Sequence, residues 1–242
     1  MAQGGPRGLR GGGGEPGPGA LGDLLSPVGR GEDEHLPRGA EAALHAPGET
    51  PARQAVDTAA AYLSDAGYDV QEVPDVPLHD EALEAYGRMI MTEFGVAWPA
   101  VRRVLGEGGD RYIGMSMART APVGLPEYLR LAGVRLTVRR AWAAFLAERP
   151  LLLGPVFTVP PVEPGLESRD EEGHRTVTEA MRLCTVTSFA GVPAVAVPVG
   201  VRDGLPQGVQ IVGQAFREDR CLAAAAVVEQ RVGPLAPVDP RP

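Results

Sequence analysis

The chain has 242 residues, 44% of them hydrophobic, which suits a soluble globular protein of one large or two small domains. Its formal net charge is −8, and no arginine cluster alternates with aromatic residues, so we expect no nucleic-acid partner. No apolar run approaches the ~20 residues that cross a bilayer, and no secretory signal is visible, which predicts a cytoplasmic protein without a membrane partner.

Two residue types are missing from the sequence. All 23 basic residues are arginines, so there is no lysine, and there is no asparagine either. The lack of lysine excludes Schiff-base lysines, P-loop lysines and Ser–Lys dyads from this chain. The only cysteines, Cys184 and Cys221, are too few for a disulfide framework and lie among apolar residues, which predicts free, buried thiols in a reducing cytosol. No cofactor is implied.

The first 45 residues are rich in glycine and proline and lack apolar periodicity, so we expect this segment to be disordered. Order is predicted from about residue 46. Thr50 as an N-cap and Pro51 at the first helical position open a helix that Gly67 ends. A short strand is predicted over residues 68–73, and this strand together with the preceding helix indicates an α/β unit.

Residues 78–149 are predicted to be helical, with one helix from His79 to about Leu105, interrupted at Pro99, and another from Pro126 to about Arg149. Methionine and aromatic residues are frequent between residues 86 and 117. Packing is their default use, and lining an apolar substrate groove is the alternative. A buried strand over residues 151–159 and a helix over about 176–184 are expected next.

Residues 188–213, SFAGVPAVAVPVGVRDGLPQGVQIVG, predict two buried strands. Pro198 has no N–H and indicates a bulge, while Asp203-Gly204 with the next two residues predicts a loop longer than a two-residue hairpin turn. A last helix is expected over residues 218–232. Short apolar strands between helices predict an α/β fold with a mixed sheet covered by helices on both faces.

One serine lies in a pattern that resembles a nucleophile motif. Residues 114–118, GMSMA, approximate the G-x-S-x-G elbow around Ser116, and Asp170 and His174 follow in the chain order of some hydrolases. An elbow needs a strand, a turn and a helix, and Asp170 and His174 are only four residues apart, so we expect no triad here.

The remaining polar clusters carry no recognisable chemistry. The run Asp170-Glu171-Glu172 is typical of a solvated loop, because adjacent carboxylates cannot flank a substrate. His45, His79 and His174 have no metal-ligand spacing. From the residues alone we therefore expect no catalytic residue and no metal site, and the substrate-binding residues stay unassigned.

Three segments resemble, in order, the C-terminal part of the amidase signature family. They are residues 150–161 (PLLLGPVFTVPP), 184–200 (CTVTSFAGVPAVAVPVG) and 204–213 (GLPQGVQIVG). Residues 216–229 resemble the family's closing helix, and residues 50–77 resemble its preceding helix–strand unit. The resemblance covers about residues 46–242 and implies an amidase-signature-like partial domain. One departure is Ser188, where members commonly have asparagine.

Members of this family hydrolyse amide C–N bonds. Their Gly/Ser-rich segment supplies a nucleophilic serine, and a lysine acts as the base. A second serine bridges the nucleophilic serine and the lysine. This chain lacks that segment and has no lysine, so the resemblance implies a truncated hydrolase portion that is inactive alone and takes a small-molecule amide only when completed by a catalytic half. The alternatives are a binding or partner module derived from an amidase, joined to a partner polypeptide or a second copy, and a serine hydrolase that uses Ser116.

Overall fold

The computed structural model describes residues 50–235 and the backbone of residues 40–43. Most of the segment predicted to be disordered, residues 1–45, therefore lies outside the described residues, and His45 lies there too. Within that segment, Ala40–Ala43 form strand β1, which pairs with two other strands. These four residues thus belong to the sheet, although their sequence does not indicate a strand.

The first helix forms as its cap predicts. Helix α1 spans Pro51–Asp65, and the Thr50 hydroxyl accepts a hydrogen bond from the Arg53 backbone N–H at 3.1 Å. This bond satisfies one of the free N–H groups at the helix start, while Pro51 removes another donor. Gly67 follows with a φ of 95°, and the chain then enters strand β2, Val70–Val73.

The central part of the chain is helical, as predicted. Its three helices are α2 (His79–Val101), α3 (Glu107–Arg119) and α4 (Leu125–Glu148). The expected interruption at Pro99 is wrong, because α2 continues to Val101. A proline leaves the carbonyl four residues earlier without a donor, and Gly95 at that position is exposed, so water can replace the bond. Within the described ranges, no helix has the length and apolar character that spanning a membrane requires.

After α4 the chain forms a short buried strand and three helices. Strand β3, Leu151–Pro155, ends four residues earlier than predicted, because the chain leaves the sheet after Pro155. The predicted helix over 176–184 is wrong in both bounds, since two helices meet at Met181 instead. The three helices are α5 (Leu166–Arg169), α6 (Glu171–Ala180) and α7 (Arg182–Ala190).

The predicted strand pair near the end of the chain is present, but its turn differs from the prediction. Strand β4 (Ala194–Arg202) and strand β5 (Leu205–Gly213) pair up to Arg202 opposite Leu205. The link is thus a two-residue turn with a φ of 52° at Asp203 and 77° at Gly204. Two positive φ values define the type I′ turn that Asp-Gly favours. Helix α8, Glu218–Val232, follows as expected.

The five strands form one mixed sheet in the order β2-β1-β3-β5-β4. Strand β1 runs parallel to β2 and β3, and β5 is antiparallel to β3 and β4. One face of the sheet packs on α1 and α8 through residues such as Val56, Ile211 and Ala224. The other face packs on α2, α4 and α7 through residues such as Leu152 and Val212. The predicted α/β fold with helices on both faces is therefore confirmed.

Strand β4 is less buried than its sequence suggests. Val197 and Val199 lie in the core between the sheet, α1 and α8, but Ala194, Ala196 and Pro198 on the opposite face are exposed. The register shifts between Pro198 and Gly200, which confirms the predicted bulge. The expectation of two fully buried strands is thus wrong for β4, because the helices of the second face do not extend over it.

Candidate functional site

An apolar groove of about 490 Å³ lies on the exposed face of β4. Its walls come from the segment that follows β3, from β4 and from the start of β5. The lining residues are Ala52, Val156, Phe157, Val159, Pro161, Val162, Ala196, Val197, Pro198, Pro206, Gln207 and Gly208. A groove of this size and character falls in the range of small-molecule sites, which are mostly apolar with few polar groups.

The sequence forms this groove through its prolines and small residues. Pro155 ends β3, so the chain that follows it leaves the sheet and rises beside it. Ala196 and Gly208 keep the floor of the groove low, because their side chains are small or absent. Pro161 and Pro198 carry no backbone donor, which leaves fewer polar groups in the apolar lining.

A buried glutamine fixes the wall of the groove. The Gln210 side chain is 4% exposed and donates from Nε2 to the Pro155 carbonyl at 2.9 Å. The same amide group lies 3.3 Å from the Cys184 sulfur, and the Cys184 thiol donates to the Val156 carbonyl at 3.2 Å. These bonds hold the segment after β3 on the sheet. The sequence signal for this contact is a glutamine between apolar residues in strand β5, Val209-Gln210-Ile211.

Neither cysteine is chemically activated. Burial raises the pKa of the Cys184 thiol, and burial with the nearby Glu218 and Asp219 raises the pKa of Cys221 to about 11. Both thiols are free, as predicted, although Cys184 is only partly buried. A thiol with a raised pKa stays protonated near neutral pH and is a poor nucleophile. The Gln210–Cys184–Val156 contacts therefore serve packing rather than catalysis.

Ser116 and His174 lie far apart in sequence but meet in the structure. The Ser116 Oγ is 2.8 Å from His174 Nε2, and it also donates to the Tyr112 carbonyl at 2.9 Å. The His174 ring lies 4.9 Å from the Tyr112 ring, centroid to centroid. Of the three residues Ser116, Asp170 and His174, the structure thus brings Ser116 on helix α3 into contact with His174 on helix α6.

Asp170, the middle residue of that order, does not complete a triad. Asp170 Oδ1 accepts from the Gly173 N–H at 2.7 Å and caps helix α6. The His174 Nδ1 atom is buried and has no hydrogen-bond partner within the described residues. Ser116 lies inside a helix rather than on a turn between a strand and a helix. Without an acid on Nδ1, nothing fixes the tautomer or orientation that a catalytic imidazole needs.

Burial, with a contribution from Arg119, lowers the pKa of His174, while Glu171 raises it by less. The imidazole is therefore neutral near pH 7, and the Ser116–His174 bond joins two uncharged groups. The acidic run at Asp170, Glu171 and Glu172 forms the cap and first turn of α6, where carboxylates favour the positive end of the helix dipole. The described residues include no group of three side chains placed to hold a metal ion.

The methionine and aromatic residues between 86 and 117 do not line the groove. Met89 is buried against α4 and α7, and Tyr86 contacts Phe189 edge to face at 6.2 Å. The packing interpretation therefore applies to these two residues, and the alternative that this region lines a substrate groove stays a prediction. Ser188, where the resemblance expects asparagine, donates to the Cys184 carbonyl at 2.8 Å within helix α7.

Comparison with known proteins relates the chain to amide-hydrolysing enzymes. Residues 41–222 match the Amidase family. The chain is 31% identical over 186 residues to an indoleacetamide hydrolase of Bradyrhizobium japonicum, and the match covers 76% of this chain but 40% of that enzyme. The chain thus spans less than half the length of this relative.

Solved structures show the same fold. A Kluyveromyces lactis allophanate hydrolase is 21% identical with a TM-score of 0.65, over 81% of this chain and 33% of that one. A bacterial aryl acylamidase of the amidase signature family is 23% identical with a TM-score of 0.59, over 80% of this chain and 44% of that one. The family match over most of the chain and these shared folds lead to one conclusion: the chain belongs to the Amidase family.

Proposed function

We propose that this chain is the C-terminal portion of an amidase-family hydrolase and takes part in amide C–N hydrolysis only when another part supplies the nucleophile and the base. The observation that carries the proposal is a family match over residues 41–222 in a sequence without a single lysine. The resemblance assigns the base of these enzymes to a lysine. A chain without one needs that group from elsewhere.

The geometry of the described residues supports a scaffold role. The groove beside β4 is lined by apolar side chains, and the only polar side chain that lines it is Gln207. An uncharged amide can orient a substrate but cannot serve as a general base near neutral pH. The groove thus offers shape and apolar contact area, and no proton acceptor for hydrolysis.

The proposal extends to the organisation and setting of the protein. Residues 1–45 are proposed to stand outside the family-like domain, and the protein is proposed to act in the cytoplasm on a small-molecule amide. The missing part is proposed to be a catalytic half on a partner polypeptide. The proposal includes no cofactor and no metal, because the amide chemistry implied by the resemblance uses only side chains and backbone N–H groups.

The proposal predicts that the purified chain does not hydrolyse amides. Indoleacetamide is a suitable probe, because the Bradyrhizobium japonicum relative is named for it. Ammonia release should stay at the level of buffer alone, since the chain has no lysine to act as the base. The relative itself, assayed in parallel, shows that the assay works. Turnover by the chain that persists through repeated purification contradicts the proposal.

A second candidate function rests on the 2.8 Å contact between Ser116 and His174. In a serine hydrolase the histidine Nε2 would take the Ser116 proton as the oxygen attacks the carbonyl. The Ser116 hydroxyl instead has the Tyr112 carbonyl as an acceptor, and His174 Nδ1 has no carboxylate partner. Any activity that is lost in both Ser116→Ala and His174→Gln, but kept in Ser188→Ala, would favour this candidate over the first.

A further inference from the structure

Strand β4 forms an edge of the sheet, since it pairs only with β5 among the described strands. The Pro193 carbonyl accepts a bond from the Gly213 N–H at 3.0 Å, so the peptide groups at residue 193 face β5. Along an antiparallel strand, successive residues point their N–H and carbonyl groups alternately toward and away from the neighbouring strand. The peptide groups of Ala194, Ala196 and Pro198 therefore point away from β5, toward the open edge.

This edge offers a row of backbone hydrogen-bonding groups. Ala194 and Ala196 each present an N–H and a carbonyl, and Pro198 presents a carbonyl alone. Natural edge strands are usually short, charged or covered, because such a row pairs readily with another chain. Strand β4 is nine residues long, and its only charged residue is the terminal Arg202. Its bulge lies at Pro198 and Gly200, beyond the first four residues.

Within the described part of the chain, the sheet face next to this edge is also partly uncovered. Helices α2, α4 and α7 pack on Leu152 and Val212, which lie toward one end of β3 and β5. Ala194 and Ala196, opposite Val212 and Gln210, are exposed beside these covered residues, and toward the other end the apolar groove and the exposed Pro198 continue the same face. An open edge beside an apolar groove suits an added strand, whose backbone pairs with the edge while its side chains enter the groove.

The comparisons indicate what covers this surface. The two solved relatives match about four-fifths of this chain, yet the match accounts for only 33% and 44% of their own chains. More than half of each of those two chains therefore lies outside the match. We propose that the β4 edge and the groove are the docking surface for that remaining portion of an amidase domain, supplied by a partner polypeptide that adds a strand beside β4. The proposal rests on the proposed function.

The free chain provides the first test. In the isolated full chain, hydrogen exchange followed residue by residue should be at least tenfold faster at the Ala194 and Ala196 amides than at Val195 and Val197, whose N–H groups face β5. Equal protection of all four amides overturns the proposal. A dimer in solution that protects Ala194 and Ala196 also overturns it, because a second copy is then the occupant.

The second test supplies a partner. The probe is the part of the Bradyrhizobium japonicum indoleacetamide hydrolase that lies outside its match to this chain. It is co-expressed with the full chain, and in parallel with the relative's own matching part. The expected result is a one-to-one complex in both cases, with at least tenfold slower exchange at Ala194 and Ala196. A probe that assembles with its own counterpart but not with this chain overturns the proposal.

Two variants locate the contact. Ala196→Pro removes an N–H that faces the edge and leaves the bonds to β5 in place, so it should abolish the complex while the chain keeps its thermal midpoint. Ala196→Asp places a charge in the groove and should have the same effect if Ala196→Pro distorts the strand. Leu222→Asp on α8 is the matched control, because Leu222 is 60% exposed on the other side of the sheet. A complex that survives both Ala196 variants contradicts the proposal.

The outcomes separate this proposal from the proposed function. A complex that depends on Ala196 but hydrolyses no amide supports the docking surface and contradicts the proposed function. Amide hydrolysis by a mixture that is insensitive to Ala196→Pro and Ala196→Asp supports the proposed function and contradicts the docking surface.

Discussion

His174 is a buried titratable residue that contacts two side chains of helix α3, Tyr112 and Ser116. The residue is 3% exposed, its ring lies against the Tyr112 ring, and its Nε2 is hydrogen-bonded to the Ser116 hydroxyl. Its second nitrogen is buried without a partner. Adding a proton there creates a buried charge with Arg119 nearby and only Glu171 to offset it. The neutral ring therefore holds helix α3 against helix α6.

The lowered pKa of His174 predicts acid sensitivity. In the unfolded chain the imidazole takes up a proton near pH 6.5, whereas in the folded chain it does so only at a lower pH. Its contribution to stability is thus fully present above pH 6.5 and is lost as the pH falls below that value toward the folded pKa. Urea unfolding at pH 7.5 and pH 5.5 measures the loss.

His174→Gln is the variant that assigns this loss to His174. It should cost roughly 1 kcal/mol at pH 7.5, because it perturbs the bond to Ser116, and it should show a smaller decrease between the two pH values. His79→Gln is the control for general histidine effects. An equal decrease in the wild-type chain and in His174→Gln contradicts the assignment.

Gly213 marks a close approach between strand β5 and helix α8. A Cβ atom added at Gly213 would lie 2.5 Å from the Cys221 sulfur and 3.5 Å from the Arg217 carbonyl. Gly213→Ala should therefore cost roughly 1–3 kcal/mol of unfolding free energy. In a Cys221→Ala background the sulfur is gone, so the same change should cost less. Denaturant unfolding of the four chains in a double-mutant cycle measures the coupling, and strict additivity rules the contact out.

At the level of elements, the hairpin between β4 and β5 depends on backbone conformation. Gly204 has a φ of 77°, so Gly204→Ala should destabilise the fold by about 1–2 kcal/mol through left-handed strain. Gly133→Ala is the matched control. Gly133 is exposed inside α4 with no atom within 4 Å of a new Cβ, so the same substitution should stabilise by about 0.5–1 kcal/mol. Thermal unfolding of both variants distinguishes them, and effects of the same sign contradict the account.

The elements that the sequence predicts well are those defined by local chemistry. Thr50 with Pro51 starts α1 because a cap needs only its own first turn. The helix over residues 218–232 also forms as predicted, although no side chain caps its start. Two predictions failed at features that are themselves local: helix α2 continues through Pro99, and α6 begins at Glu171 because Asp170 accepts the Gly173 N–H. The type of the turn at Asp203-Gly204 could have been predicted from these two residues alone, since both favour the type I′ turn.

At the scale of the whole molecule, the described helices cover one face of the sheet and only part of the other. The sequence predicted the mixed sheet and the family, because both depend on the order of strands and on short motifs. It did not predict the groove beside β4, since that space depends on how far α2, α4 and α7 reach across the sheet. The Ser116–His174 contact, 58 residues apart, likewise needs the packing of α3 on α6.

The residues, the elements and the whole molecule support the same interpretation of the chain. The described residues build an α/β scaffold with an apolar groove, and the sequence contains no lysine for the chemistry that the family resemblance implies. We propose that the chain contributes a wall and an edge to a site that another part completes. The central claim is that hydrolysis requires both parts together.

Amide hydrolysis by the chain, by the complementary part of the Bradyrhizobium japonicum relative, and by their mixture tests this claim most directly. The account predicts turnover only in the mixture, and loss of that turnover when the lysine base of the complementary part is replaced by alanine. Turnover by the chain alone that Ser116→Ala abolishes, or an inactive mixture despite a stable complex, would contradict it.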